Sequence, residues 1–152
     1  MLKPKMVFTA LATWFAFHLI IFWILNPMGV DAIIADQKGQ FMARMMGYIG
    51  GFLSLILAYV FFMIKDIENG IAKKILLGVG SIMVIADGII IASNMSITEK
   101  FPNDTMMATP APAVALWILL TVYTLYVAVT CLLYTSDAAD EGLGVDLGGR
   151  RI

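Results

Sequence analysis

The chain has 152 residues, is 61% hydrophobic and only 14% charged, and carries a formal net charge of −1. Soluble domains are about half apolar and about a quarter charged, so the composition excludes an ordinary water-soluble domain, and the near-neutral balance offers no field for nucleic acid. A single cysteine, Cys131, excludes an intrachain disulfide, a CxxC redox pair and a cysteine-rich metal site.

A helix that crosses a bilayer needs about 20 mostly apolar residues. Met6–Leu25, "MVFTALATWFAFHLIIFWIL", is the first such run. Lys3 and Lys5 precede it as in a signal peptide, but the apolar run is too long and no small-x-small site follows, so it reads as a retained helix. Pro27 punctuates the next segment, Pro27–Gln40, whose alternating apolar and acidic positions suit either a short interfacial helix or a plain loop. Phe41–Ile64 is the second span, Ile75–Ala92 the third and Ala113–Thr130 the fourth, with Asn69–Gly70, Pro102, Pro110 and Pro112 marking the gaps. The dyad alternation of barrel strands is absent. The expected fold is therefore all-α: an integral membrane four-helix bundle spanning about 6–25, 41–64, 75–92 and 113–130.

Lysine and arginine in short loops set orientation. Lys3, Lys5, Lys65, Lys73 and Lys74 fall on one side and Lys38, Arg44 and Lys100 on the other, which predicts both termini in the cytoplasm. Trp23 and Trp117 sit near span ends, where interfacial anchors belong.

Three ionisable residues lie within or at the edge of these spans. Asp87 in "IADGII" is about 18 Å above the inner end of its span and His18 in "WFAFHLI" about 17 Å above the inner end of a parallel span, by helix rise. Arg44 in "FMARMMG" enters the second span from the opposite side. Charge in hydrocarbon costs about 2.5–3.5 kcal/mol on insertion scales, so Asp87 is expected to find a partner or keep its proton. Asp87, Arg44 and His18 form the candidate intramembrane cluster: a staple between helices, or a site for a proton, an ion or a polar headgroup. Gly47, Gly51, Ser54 and Ala58 make a small-residue stripe on the second span, and Gly80, Asp87 and Asn94 fall at heptad spacing on the third, as close helix contacts require. Trp117, Thr121 and Thr124 share one face of the fourth, where packing or back-bonded hydroxyls are expected. No HExxH, GxSxG or P-loop occurs, so no catalytic residue, metal ligand set or cofactor is assigned. The expected partners are the lipid bilayer and either a second copy or a larger membrane complex, with no nucleic acid.

The C-terminus breaks the pattern. "CLLYTSDAAD" and "VDLGGRRI", separated by "EGLG", back-translate into what resembles the constant parts of a transposase-library sequencing adapter flanking a variable index. Residues 131–152 are accordingly expected to be an artefactual tail, disordered or falsely extending the last helix, with the genuine chain truncated near Thr130. Residues 1–130 alone hold seven Lys and one Arg against five Asp and two Glu, a net charge of +1.

An arginine opening a glycine-rich second helix in "FMARMMGYIGG", after an N-in first helix and before a short basic loop, resembles the small four-helix bacterial membrane proteins of the DoxX-like kind. The resemblance implies a multi-pass protein of the bacterial inner membrane. Some members of that family are associated with sulfur and quinone redox chemistry, but residues 1–130 lack cysteine and that chemistry is not carried over. Three functions stay open: an accessory or structural protein with a buried polar staple, a proton- or ion-handling transporter using Asp87 and His18, and a quinone-associated subunit. Full internal pairing and no cavity would mark the first, a polar cavity reaching Asp87 the second. An apolar cleft lined by aromatics such as Trp14 and Tyr48, converging on Arg44 or His18, would mark the third.

Overall fold

The computed structural model of the chain describes residues 3–100 and 108–143, with only the backbone described at 31–33 and 131–143. It contains helices α1 (Pro4–Ile20), α2 (Asn26–Ile33), α3 (Gln37–Met63), α4 (Asn69–Lys100) and α5 (Ala111–Leu143), and no strand among the described residues. Four helical stretches are long and apolar enough to cross a membrane: Pro4–Val30, Gln37–Met63, Asn69–Lys100 and Ala111–Thr130. Each contains or closely matches one span expected from hydropathy. The backbone of α5 continues helical past Thr130 to Leu143, through part of the adapter-like segment.

Pro27 does not end the first helix as expected. Its ring clashes with the carbonyl four residues back and it has no N–H to give. One π-helical turn at Ile21–Leu25 joins α1 to α2, and its widening is what lets the helix continue: the Asn26 N–H reaches Ile21 O, five residues back. The chain finally leaves helix at Ile34, and Asp36 caps α3 by accepting the Gly39 N–H at 2.7 Å.

The helices pack as two antiparallel pairs. Beyond the loop, α3 lies along α1, the π turn and α2, while α5 lies along α4. The pairs meet through α1, which approaches both α4 and α5; the α3 backbone approaches neither. The best-buried core gathers at the lysine-rich end, where Val7, Phe8 and Leu11 of α1 meet Phe61 of α3, Ala72 and Leu76 of α4, and Val127 and Ala128 of α5. Phe61 stacks on Phe8 and Phe15, with centroids 6.2 and 5.8 Å apart. Outward, large apolar side chains such as Phe41, Phe52, Ile56, Ile82, Ile85 and Leu119 are more than half exposed. In water such a surface would associate; against acyl chains it is an ordinary outer face. Four long apolar helices with this surface make the chain a multi-pass membrane protein.

A candidate ligand cleft between α1, α4 and α5

The glycine stripe on α3 sets the first helix pair. Gly47, Gly51, Ser54 and Ala58 are all buried. A Cβ on Gly51 would collide with the Trp23 indole and one on Gly47 with the Asn26 amide, so both side chains use the room that glycine leaves. The Trp23 Nε1–H donates to Tyr48 O at 3.3 Å and the Asn26 Nδ2–H to Ala43 O at 3.4 Å. Trp23 also meets Phe52 edge to face, with centroids 5.0 Å apart. Trp23, expected as an interfacial anchor, also rivets the π turn to α3. The signal was present in the spacing of Gly47 and Gly51, which makes a pocket as well as a contact.

The second pair is registered by the heptad positions of α4. Gly80 leaves no room for a Cβ beside Leu125 and Thr124 of α5. About four turns further on, the Asn94 amide clasps Thr109: its Nδ2–H donates to Thr109 O, and its Oδ1 accepts from Thr109 N–H, both at 3.0 Å. Thr121 and Thr124 turn their hydroxyls back onto Trp117 O and Leu120 O, at 3.1 and 2.8 Å. Their methyl groups are left to face the seam. Asp87, midway between Gly80 and Asn94, falls level with Trp117 in this antiparallel register.

The three sequence-predicted site residues do not converge. Arg44 is half-buried on α3, whose backbone stays away from α4, and it is engaged in a side-chain interaction of its own. His18 Nδ1–H donates to Trp14 O at 3.0 Å, and its ring lies 4.8 Å from that of Trp14. Among the described residues, no hydrogen bond or ion pair joins Asp87 to His18 or to Arg44. Asp87 Oδ1 is a buried acceptor with no partner, and Trp117 Nε1 is a buried donor with none.

His18 instead lines a cleft of about 160 Å³ on the side of α1 away from α3. Trp14, Phe15 and His18 supply one wall, Ile90 of α4 another, and Val114 and Trp117 of α5 a third, with Ala113 and Thr109 completing it. Trp14 and Trp117 stand 5.7 Å apart, and Phe15 meets Trp117 edge to face at 6.1 Å. Trp117 therefore belongs to a ligand-sized wall, where its place near a span end had suggested an interfacial anchor. Tyr48, expected beside Trp14 in such a cleft, is exposed on α3 and offers only its carbonyl, to Trp23. The cleft is apolar and aromatic, with one imidazole. An apolar cavity of about 150 Å³ accommodates a benzene ring, so this volume is enough for one six-membered ring.

No protein-family model, no curated protein and no solved structure matches this chain.

Proposed function

We propose that this is a multi-pass protein of the bacterial inner membrane, both termini cytoplasmic, that binds the single-ring headgroup of a membrane-soluble compound of the quinone class. The observation that carries this is the aromatic cleft of about 160 Å³ between α1, α4 and α5, with His18 as its one titratable lining residue. Trp14, Phe15 and Trp117 offer ring faces and edges, which favour an aromatic or quinonoid plane by offset or edge-on contact. A lipophilic tail would lie along the exposed apolar faces of the helices, in the bilayer. A structural staple is less well supported, because it calls for complete internal pairing and Asp87 Oδ1 has no partner. A proton or ion path calls for a polar cavity, and this lining is almost wholly apolar. Kinship with DoxX-like proteins is proposed alongside, on architecture and the "FMARMMGYIGG" segment alone.

The test is a titration of the protein in lipid nanodiscs with a short-tailed quinone, read by quenching of tryptophan fluorescence. Ala113 lines the cleft, and Ala113→Phe fills it. Saturable quenching in the wild type that is lost in Ala113→Phe is the expected result. Quenching that rises without limit and is the same in both proteins would reflect partition into lipid, and would return the chain to a scaffold role.

A further inference from the structure

The unsatisfied polar groups around the cleft specify more than a ring. His18 Nδ1 spends its proton on Trp14 O, so in the uncharged imidazole Nε2 carries none and can only accept. Trp117 Nε1 is a buried donor without a partner, and Thr109, which carries a hydroxyl, belongs to the same lining. Asp87 Oδ1 is also unpaired, one helical turn from Ile90, but Asp87 is outside the lining and is not counted with it. Buried polar groups are nearly always paired in native proteins, and an unmet acceptor and an unmet donor in the lining of one ring-sized cleft mark a place where a ligand completes the set.

The His18 acceptor selects the ligand's chemistry. A ring carbonyl only accepts, so it can take a hydrogen bond from Trp117 or Thr109 but leaves His18 Nε2 unmet. A ring hydroxyl accepts from the indole N–H and gives its own proton to His18 Nε2. We infer that the cleft is selective for the hydroxylated ring, a hydroquinone or substituted phenol, over the corresponding quinone or its methyl ether. This rests on the ring-binding function proposed above and names its substrate class. Trp117 Nε1 is shielded by its neighbours, so a ring that takes its hydrogen bond has to turn the indole as it enters.

The measurement is calorimetric titration of the full chain in nanodiscs, under nitrogen, with a short-tailed hydroquinone, the matching quinone and the hydroquinone dimethyl ether. The hydroquinone should bind about tenfold or more tighter than either of the others, the discrimination expected when analogues leave buried groups unpaired. In His18→Phe, which keeps a ring in the wall but removes the acceptor, that preference should fall several-fold while the ether's affinity changes little; Trp117→Phe, which removes a donor that all three ligands can use, should weaken all three alike. His18→Leu carries the comparison if His18→Phe fails to insert. Equal binding of all three compounds by the wild type overturns the hydroxyl selectivity and leaves ring binding standing. A wild type that binds none of them overturns both.

Discussion

Two tryptophans and two helix seams do opposite things with the same chemistry. On the α1–α3 side, the indole of Trp23 fills the space over Gly51 and its N–H reaches Tyr48 O. On the α4–α5 side, Trp117 is half-buried with its Nε1 shielded, yet its N–H reaches nothing, and Asp87 Oδ1, level with it, is also unmet. The first seam is finished by the chain itself. The second is finished at Gly80 and at Asn94 but not between them. In a bilayer this difference is informative, because water is not at hand to satisfy what the protein leaves open. An unfinished seam beside a cleft is where a membrane-soluble partner gains the most from binding.

The contrast breaks most visibly on the finished side. Gly51→Leu places a side chain where the Trp23 indole sits, so either α1 and α3 separate or the indole is expelled along with its hydrogen bond. The expected loss is about 3 kcal/mol, the upper part of the range for overpacking, read from detergent-unfolding curves by circular dichroism. Gly88 is the control, since a Cβ there meets nothing within 4 Å. Gly88→Ala should stay within about 0.5 kcal/mol of wild type. Equal curves for the two variants would mean that the glycine stripe is not a close seam.

A matched pair of substitutions sharpens the same contrast. Trp23→Phe removes a donor that has an acceptor and should cost about 1 kcal/mol, the usual net worth of such a bond. Trp117→Phe removes a donor that has none, so without ligand it should be neutral or stabilising by up to about 1 kcal/mol. If Trp117→Phe destabilises the unliganded protein as much as Trp23→Phe does, the second seam is not unfinished. The cleft then loses its unmet donor.

Much of this architecture was legible before any coordinates, because lipid simplifies the code. Hydropathy located all four spans, since a helix is the cheapest way to satisfy backbone groups in hydrocarbon. The stripe Gly47, Gly51, Ser54 and Ala58 is buried as its spacing implies, Gly80 bears on α5, and Asn94 holds Thr109 just ahead of it. The site was less legible. Depth along a helix placed His18 and Asp87 at one level, but depth says nothing about which helices are neighbours. Arg44 is held on α3, whose backbone approaches neither α4 nor α5, which no single-helix pattern encodes. Pro27 was read by its usual effect, and the π turn that absorbs it has no signature in residue type. Trp117 was legible as a buried face residue, but its unpaired N–H depends on what stands opposite.

The smallest expected effect lies where the two pairs are tied together outside the hydrocarbon. Lys5, at the start of α1, holds Asp66 of the α3–α4 loop at 2.6 Å, and both side chains are more than half exposed. That hydrogen bond keeps the Asp66 carboxyl below the usual carboxylate range; the positive charges of Lys5 and Lys65 add to it, and slight desolvation opposes it. A carboxyl whose pKa is lower in the folded state stabilises the fold above its unfolded pKa, about 4, and loses that contribution as pH falls through the folded value. Asp66→Asn should therefore differ slightly from wild type in detergent unfolding at pH 7, and the two curves should merge in acid. Because the pair is wet, 1 M salt should erase most of the difference at neutral pH as well. A difference that persists at low pH and in high salt would mean that Asp66 acts by some means other than its charge, and that the helix pairs are joined at this end by more than the core around Phe8 and Phe61.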